Sequence, residues 1–479
     1  MVKSKKGPKV VSFSSGESEI LFGVENLAVV RGNKDLIKRA ARYANLGHGG
    51  IEPNSEDEQT WQTVLSAVNE LSLCKVPSEE APVVTRLNIG NTYHCNMGCT
   101  YCYNELAIKD RKGSESPGGM SLDVAKKTID ALIDQSGNSS RLSLVFIGGE
   151  PLLEKSTLYK TVDYAKQIGI QHGKRIDVAV YTNGTLMDEE VIKWSNDVGV
   201  SLVVSLDGPP LINDRNRVFL SGRPTAKIVL KNIRLLMEHS VHSVRRVRAV
   251  ATGRAPLLAL HRYFLDLGFN EIHIQAAYDQ NGIDENESSS EMLELLEWYK
   301  NLLLNGIVIG VNPFEGILER LAMRGAAITS WYPCTAGRSA LGIGPKGDIY
   351  PCHHFLEEKN YYLGHVNDGL PDLEQRQPYF LRVDQREPCS SCWARHACGG
   401  ECYHRAATSG RTYTGVIPDV CRSRKSLIGL TLDLFAEIAT RKPDVFAKLI
   451  TKNYSVVPFK ESAYHSQDLA PWEQTKPQV

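Results

Sequence analysis

The sequence lacks an excess of either charge and lacks any long apolar run. Its 479 residues include 55 basic and 55 acidic side chains, so composition gives no sign of nucleic-acid or anionic-membrane partners. No uncharged apolar stretch approaches the roughly 18 to 20 residues of a membrane span. The basic start, MVKSKKGPKVV, is not followed by the apolar segment of a secretory signal. The sequence therefore predicts a cytoplasmic protein with neither nucleic-acid nor membrane partners.

Cysteine is absent from the long interval between Cys102 and Cys334, and ten of the 11 cysteines form two groups. Three lie in the run CNMGCTYC, at positions 95, 99 and 102, and seven fall from Cys334 to Cys421. Cys74 stands alone and is interpreted as a small buried hydrophobe. Cysteines in a cytosolic chain favour metal or redox chemistry over disulfides. The distribution predicts two metal-binding regions in different parts of the fold.

Between the two cysteine groups, six apolar β-branched runs alternate with six helical patterns. This alternation predicts an α/β fold with stacked βα units on a parallel sheet. Six units fall short of the eight that close a full barrel, so we expect an open, partial (β/α)6 barrel with its functional loops at the C-terminal strand ends. The predicted strands are Val83–Ile89, Leu142–Ile147, Ile176–Tyr181, Val200–Leu206, Val244–Ala251 and Glu271–Ala277, and the predicted helices are Ser121–Asp134, Ser156–Ile168, Asp188–Asp197, Thr225–His239, Leu257–Leu267 and Glu291–Asn305.

The segments that flank the βα region differ from it in composition. Before it, short extended and helical patterns indicate a small α+β module with a Gly-, Ser- and acid-rich linker at 47–58. After about Gly306, cysteines, glycines and short loops take over, and the tail after Pro458 is polar and expected to be mobile. The predicted parts are the module at 1–80, the barrel at 81–310, the Cys-rich domain at 311–425 and a helix and tail at 426–479, with elements at Glu19–Phe22, Leu27–Arg31, Asp35–Tyr43, Thr60–Leu73 and Leu427–Ala439.

The Cys-x3-Cys-x2-Cys loop supplies three thiolates and leaves the fourth corner of a cubane [4Fe–4S] cluster without a protein ligand. Thiolates suit iron–sulfur clusters or zinc, so a zinc knuckle or plain buried thiols are the alternatives. This loop, with Tyr101 before the last cysteine, resembles the radical S-adenosylmethionine (SAM) superfamily. The resemblance implies that the amino and carboxylate groups of SAM bind the open iron and that one electron then releases a 5′-deoxyadenosyl radical.

Motifs at the other strand ends are similar to those of the same superfamily. Residues 148–151 resemble its GGEP motif, although Gly-Gly-x-Pro alone could be an ordinary turn. Residues 182–185, TNGT, and 205–209, SLDGP, look like strand ends that contact the ribose. The stretch 213–217 is similar to HDxxR, with Asn213 in place of His. By this resemblance the SAM contacts are Tyr101, Gly148, Gly149, Glu150, Pro151, Asn183, Ser205, Asp207 and Arg217.

Several arginines near these motifs have competing interpretations. The resemblance implies that Arg217 binds the cofactor carboxylate through its bidentate fork, whereas the structural alternative is a surface salt bridge. Arg245, Arg246 and Arg248, on the predicted fifth strand, carry a weaker signal. For these three, the default interpretation is a solvated strand edge.

The seven-cysteine region resembles the SPASM domain. Its order, C-x(9–15)-G-x4-C followed by C-x2-C-x5-C-x3-C and a last C, begins at Cys334 and ends at Cys421. A zinc ribbon fragment is the alternative for C-x2-C-x5-C alone. The resemblance implies two auxiliary [4Fe–4S] clusters, for a total of three. An inner cluster is expected on Cys334, Cys352 and Cys402, and an outer cluster on Cys389, Cys392, Cys398 and Cys421.

Two cubanes with only thiolate ligands need eight cysteines, and this region has seven. One iron therefore takes another ligand or stays open. His353, His354 and His396 are candidate ligands, although each could be an ordinary polar loop residue. An open iron on the inner cluster could instead bind the thiolate of the substrate.

The resemblance implies an enzyme that modifies residues in a peptide or small protein subunit. The chain looks most like the maturases of quinohemoprotein amine dehydrogenase, which join Cys sulfur to Asp or Glu methylene carbons. That class implies hydrogen abstraction from the acidic residue, attack by a substrate thiolate, an auxiliary cluster that accepts the remaining electron, and an external donor of the flavodoxin or ferredoxin type. Residues 1–80 would recognise the precursor or cap the barrel. The alternatives are a sulfatase-maturase-like enzyme that oxidises Ser or Cys to formylglycine, and a zinc-stabilised scaffold without catalysis.

Overall fold

The fold is built on a ten-stranded sheet and a separate three-stranded sheet, in a computed structural model that describes residues 10–15, 18–46, 82–102, 118–252, 256–277 and 285–473. The strands are β1 (Val10–Ser15), β2 (Ser18–Gly23), β3 (Val29–Asn33), β4 (Arg86–Gly90), β5 (Arg141–Ile147), β6 (Arg175–Thr182), β7 (Val200–Ser205), β8 (Arg246–Ala251), β9 (Glu271–Ala276), β10 (Gly310–Val311), β11 (Ala340–Ile343), β12 (Asp348–Tyr350) and β13 (Gly364–His365). The large sheet has the order β10-β9-β8-β7-β6-β5-β4-β11-β12-β13. Every pair from β10 to β11 is parallel, and β12 and β13 are added antiparallel.

Helices alternate with the parallel strands and begin and end at recognisable signals. The Ser121 and Asp188 side chains accept the amides of Val124 (3.2 Å) and Val191 (2.9 Å), and Gly199 ends one helix in a left-handed conformation. Within the described residues, no helix is long and apolar enough to cross a membrane. The helices are Lys34–Leu46, Leu122–Gln135, Lys155–Gln171, Glu189–Val198, Pro210–Asn216, Ala226–His239, Leu257–Asp266, Glu285–Leu304, Phe314–Ala322, Leu373–Arg376, Arg395–Cys398, Tyr403–Thr408, Pro418–Arg441, Pro443–Ile450, Glu461–His465 and Ala470–Glu473.

The predicted α/β class and parallel sheet are confirmed, and the six predicted strands correspond to β4 through β9. The sequence analysis missed β10 and β11, which extend the parallel sheet at both ends. Both are short, with two and four residues, so neither gives a periodic signal long enough to recognise. The last long helix spans Pro418–Arg441 rather than Leu427–Ala439, and it runs across the domain boundary expected at 425/426.

The solvated-edge interpretation of the arginines on β8 is wrong. Strand β8 lies inside the sheet, between β7 and β9, so it has no free edge. Val247 and Ala249 join the main hydrophobic core beneath the helices. Since side chains alternate along a strand, Arg246 and Arg248 face the opposite, concave side of the sheet, which is the lumen of the partial barrel.

The tail after Pro458 was expected to be mobile, and the structure contradicts this up to residue 473. Ala463 and Leu469 are buried in the main core. The amide of Lys460 donates to the Asp266 carbonyl at 2.8 Å, and their side chains form an ion pair at the same distance. A few apolar side chains therefore hold this segment against the barrel. This packing was not predicted because most residues of the segment are polar.

The N-terminal module packs against the Cys-rich domain. Strands β1, β2 and β3 form an antiparallel sheet, as the predicted elements at 19–22 and 27–31 suggested in part. The rings of Phe13 and Phe22 lie 5.0 and 6.0 Å from the ring of Trp393. The linker at 47–58, the predicted helix Thr60–Leu73 and Cys74 lie outside the described residues.

The buried side chain of Asn270 joins three segments at the start of β9. Its oxygen accepts the Arg245 amide (2.8 Å), and its nitrogen donates to the carbonyls of Ser243 (2.7 Å) and Ser455 (2.9 Å). We expect Asn270→Ala to lower the free energy of unfolding by about 2–3 kcal/mol, because three partly buried backbone groups lose their partner. Urea unfolding followed by circular dichroism measures this. The control Asn305→Ala removes an exposed amide and should change stability by less than about 0.5 kcal/mol. Equal stability of the two variants would contradict the assignment.

Candidate active site and cysteine groups

The three-cysteine loop follows β4 and is fixed to the segment that follows the helix Pro210–Asn216. The Gly98 amide donates to the Val218 carbonyl at 2.7 Å, and the Thr100 amide donates to the Asn216 carbonyl at 3.1 Å. The Thr100 hydroxyl also donates to the Asn216 side chain at 2.7 Å. The conformation of the loop is therefore set by Asn216 and Val218. These two residues flank Arg217, the predicted contact of the SAM carboxylate.

On its other side the loop touches the end of β5, where two glycines allow a very close approach. The amides of Gly149 and Glu150 donate to the carbonyls of Thr92 (2.9 Å) and His94 (2.8 Å). A Cβ atom on Gly149 would lie 2.0 Å from the His94 carbonyl oxygen. Gly148 has a φ of 143°, which side chains rarely permit. The GGEP segment thus needs both glycines to lie against the cysteine loop.

The loop brings Cys95, Cys99 and Cys102 within electrostatic range of one another. Burial raises the pKa of Cys95 to about 12, and the nearby Glu150 and the other two thiols act in the same direction. The Met97 amide donates to the Cys95 sulfur at 3.5 Å. Because the surroundings disfavour a thiolate at Cys95, its ionisation requires a cationic partner at this site.

Glu150 is a fully buried carboxylate at the same strand end. It accepts the Leu152 amide (3.1 Å), the Thr182 hydroxyl (2.9 Å) and the Asn183 amide (2.7 Å). Burial raises its pKa to about 7, while these three donors and the charge of Arg217 oppose that shift. A buried carboxylate of this kind suits the N–H groups of an amine, whose hydrogen bonds would stabilise its charged form.

The side chain of Asn183 connects β6 to the cysteine loop. Its nitrogen donates to Asn96 at 2.9 Å and lies 3.9 Å from the Cys95 sulfur. Its oxygen accepts both the amide and the hydroxyl of Thr185. The predicted SAM contact at Asn183 therefore lies beside the first thiol of the loop, Cys95.

Tyr101, Asp207 and Arg217 form one buried hydrogen-bonded chain. The Tyr101 hydroxyl donates to Asp207 at 2.5 Å, and Arg217 donates to the same hydroxyl at 3.0 Å. Arg217 is only 8% exposed, which excludes the surface salt bridge considered above. Burial raises the pKa of Asp207, and Arg217 opposes the shift. The structure thus brings three predicted SAM contacts together.

Asn213, at the position of the motif histidine, has a structural role. It is fully buried, and its oxygen accepts the Asp207 amide at 3.3 Å. Its nitrogen donates to Asp214 (3.0 Å) and to Thr225 (3.1 Å). These bonds fix the loop after β7 against the following helix. An amide can make all of these contacts, so the departure from the motif does not disturb the site.

The two remaining predicted SAM contacts lie at the edges of this region. Pro151 begins a short turn after Glu150, and its carbonyl accepts the Asn91 side chain at 3.2 Å. Ser205 ends β7, where it is registered with Arg248 of β8. Both are at C-terminal strand ends, as the barrel fold requires of site residues.

The Cys-rich domain separates its seven thiols into a group of three and a group of four, and none of the ten described cysteines of the chain forms a disulfide. Cys334, Cys352 and Cys402 act electrostatically on one another, and burial raises the pKa of Cys334 to about 11. The second group lies around Cys389, whose pKa burial raises to about 12. Its members, linked by their mutual charges, are Cys389, Cys392, Cys398 and Cys421.

The candidate histidine ligands separate into two places. His396 lies beside the N-terminal module, 3.4 Å from Glu25 and with its ring 4.4 Å from that of Trp331. His353 and His354 follow Cys352, and their rings lie 4.2 Å apart. The ring of His404 stacks on that of His354 at 5.0 Å. Sequence reasoning missed His404, although its position two residues after Cys402 was an available signal.

The three thiol groups fit iron–sulfur clusters in ligand chemistry. Burial raises the pKa of a thiol in every group, so a cationic centre within each group would favour the thiolate form. Within the described residues, no three His, Cys, Asp or Glu side chains surround a position for a single metal ion. Analysis of iron and acid-labile sulfide separates clusters from zinc.

Comparisons with known proteins agree with this arrangement. Residues 92–250 match the family model of the radical SAM superfamily, and residues 334–393 match SPASM, an iron–sulfur cluster-binding domain. A cysteine-type anaerobic sulfatase-maturating enzyme of Clostridium perfringens is 23% identical over 326 residues, which cover 64% of this chain and 85% of that protein. A serine-type enzyme of Bacteroides thetaiotaomicron is 25% identical over 341 residues, covering 64% and 80%.

A solved structure of anSMEcpe with bound AdoMet has the same fold. Its TM-score is 0.63 at 20% identity, and the match covers 77% of this chain and 98% of that chain. The radical SAM cyclopropyl synthase TigE of Paramaledivibacter caminithermalis is 22% identical over 324 residues, 64% of this chain and 65% of that protein. The chain is thus similar to the radical SAM superfamily over residues 92–250, to SPASM iron–sulfur domains over residues 334–393, and to the anaerobic sulfatase-maturating enzymes over 64% of its length.

Proposed function

We propose that this protein is an enzyme that joins a Cys sulfur to a methylene carbon of Asp or Glu within a partner peptide or small protein subunit. The observation that carries the proposal is the count of thiols in the Cys-rich domain, with three in the inner group and four in the outer group. A cluster on three protein thiols keeps one iron available for a soft ligand. The thiolate of the substrate is such a ligand, and thioether formation gives it a role.

The proposed cofactors are SAM and three [4Fe–4S] clusters. Cys95, Cys99 and Cys102 would hold the SAM-binding cluster. Cys334, Cys352 and Cys402 would hold the inner auxiliary cluster. The remaining group, around Cys389, would hold the outer one. When bound, these cofactors supply a 5′-deoxyadenosyl radical that can remove a hydrogen atom from an unactivated carbon.

The chain's own residues would bind and orient SAM. Glu150, buried and supported by three donors, would accept hydrogen bonds from the amine. Arg217 donates to Tyr101 and has further N–H groups for a carboxylate. Gly148 and Gly149 let the backbone approach the ligand closely. These groups lie at the strand ends around the cysteine loop, so the amine and carboxylate would be directed to the iron that lacks a protein ligand.

Formylglycine formation is the second candidate function. Relatives similar over 64% of this chain are cysteine-type and serine-type anaerobic sulfatase-maturating enzymes. In that reaction a Ser or Cys side chain would be oxidised without a bond to a second residue. The inner group of three thiols favours thioether formation, whereas similarity to the anaerobic sulfatase-maturating enzymes favours formylglycine formation. The narrower assignment, a maturase of quinohemoprotein amine dehydrogenase, gains no support from the comparisons.

The proposal extends to partners and to the N-terminal module. The substrate would contain Cys and Asp or Glu, and an external flavodoxin- or ferredoxin-type donor would supply the electron, in the cytoplasm. The described part of the module packs on the Cys-rich domain through Phe13, Phe22 and Trp393. Glu25 also contacts Arg395 and His396 beside the outer thiols. These contacts support a structural role for the module on the Cys-rich domain, which differs from the cap over the barrel that the sequence suggested.

We expect Ala in place of Cys95, Cys99 or Cys102 to abolish 5′-deoxyadenosine release, because each removes a ligand of the SAM-binding cluster. Cys402→Ala should retain release and stop product formation. Anaerobic chromatography of the nucleoside, with iron and sulfide analysis, measures both effects. The control Cys74→Ala alters the one cysteine outside the three groups and should keep the iron content. Normal release by the first three variants, or zinc in place of iron, contradicts the assignment.

Glu150→Gln should raise the Kd for SAM by about tenfold to a hundredfold, since a charged hydrogen bond contributes about 1.5–3 kcal/mol. In the wild type, SAM binding should weaken as the pH falls below about 7, because the buried carboxyl is then protonated and cannot pair with the amine. The variant should lose this pH dependence. Equilibrium binding to the reconstituted protein tests both points, with Glu154→Gln as the control. An unchanged Kd for Glu150→Gln would remove Glu150 from the site.

Mass spectrometry of a partner that stimulates 5′-deoxyadenosine release should separate the two candidate reactions. A thioether removes two hydrogen atoms and leaves the cysteine unable to react with iodoacetamide. Formylglycine formed from Cys loses the sulfur. We expect the first signature, together with a fragment that joins Cys to Asp or Glu. Loss of sulfur, or a product still open to alkylation, would favour the second candidate.

A further inference from the structure

The lumen of the partial barrel contains an arginine at the level of the predicted SAM contacts. Parallel register places Arg248 of β8 beside Ser205 at the end of β7 and beside His273 of β9. Ser205 is one residue beyond the last registered pair of β6 and β7, and is therefore level with Asn183. Arg248 and His273 therefore lie at the same height along the barrel as the residues that border the cysteine loop. They belong to the strands of the sheet that are farther from that loop.

The side chains of Arg248 and His273 face into the lumen. Their strand neighbours Val247 and Ile272 belong to the core beneath the helices, and side chains alternate along each strand. The side chain of Arg248 is 27% exposed, so a ligand in the lumen can reach it. Arg245, three residues before it in the chain, instead donates to the Met237 carbonyl in the helix Ala226–His239.

Among the residues that the structure describes, the charges around Arg248 are not balanced within the lumen. Arg246 and Arg248 share the single carboxylate of Glu271, at 2.7 and 3.4 Å. Arg246 has the shorter contact, so Arg248 is the more weakly neutralised of the two. Burial, with the charge of Arg248, lowers the pKa of His273 to about 3, which leaves this ring neutral.

Two other carboxyl groups near these strands have their own partners. Glu315 lies beside β10 and accepts the Tyr454 hydroxyl, and the charge of Lys452 acts on it. Asp207 accepts the Val250 amide at 3.0 Å, but it belongs to the buried chain that includes Arg217. Neither carboxyl group is paired with Arg248.

We propose that Arg248 binds the side-chain carboxylate of the acidic residue to be modified, with His273 beside it. The planar fork of arginine matches a carboxylate through two hydrogen bonds. Such a contact would place the adjacent methylene carbon at the end of the lumen where the SAM contacts lie. This inference rests on the proposed function, in which Asp or Glu supplies the carbon that is joined to sulfur.

The test uses small carboxylates on the anaerobically reconstituted protein with SAM bound. N-acetyl-L-glutamate and N-acetyl-L-aspartate should bind at least tenfold more tightly than N-acetyl-L-glutamine, as measured by saturation-transfer NMR titration. Arg248→Gln should abolish this preference, and Arg248→Lys should retain part of it. Arg245→Gln is the matched control, since that side chain lies on the other face of the sheet, and it should keep the preference.

Glu271→Gln should increase binding of the acids, a result that a misfolded variant would not give. Removal of the competing carboxylate should free Arg248 and tighten binding of the acids severalfold, with little change for the amide. Equal binding of acid and amide to the wild type, no detectable binding of the acids, or an unchanged preference in Arg248→Gln would overturn the carboxylate site. None of these results affects the thioether signature in the partner, so failure of this site and failure of the proposed function are distinguishable.

Discussion

The close approach between the end of β5 and the cysteine loop is the contact on which the candidate site depends. The Glu150 amide reaches the His94 carbonyl only because Gly149 has no side chain in the space between. This contact sets the distance between a buried carboxylate and the first thiol of the loop. Without it, Glu150, Asn183 and Cys95 would not share one small region, and the loop would have no fixed position relative to the strand ends.

A second constraint lies in the Cys-rich domain, where one short link connects the two thiol groups. Cys398 belongs to the outer group and Cys402 to the inner group. Between them Glu401 is buried, and Arg424 donates to the Gly400 carbonyl at 2.6 Å. Clusters held at the two ends of this link would lie close together, a spacing that suits electron transfer between them. The N-terminal module covers the outer group, which would limit its contact with water.

Periodicity in the sequence predicted the central strands and helices because each is long and strongly patterned. The short strands at the ends of the parallel sheet were not predicted. For example, β10 has only two residues and therefore gives no periodic pattern to detect. The motif residues Glu150 and Arg217 could be named from the resemblance of their strand-end segments to superfamily motifs. Arg248 could not, because its importance depends on strand order and on which face of β8 it occupies. The ring contact between His354 and His404 likewise depends on folding of distant segments.

The proposed function depends on an iron that Cys95, Cys99 and Cys102 would leave without a protein ligand and that SAM would occupy. Electron paramagnetic resonance of the reduced, reconstituted protein tests this most directly, with and without SAM labelled with nitrogen-15 at its amine. We expect the signal of one cluster to change on addition of SAM and to show coupling to the labelled nitrogen. A spectrum that SAM leaves unchanged would contradict the account.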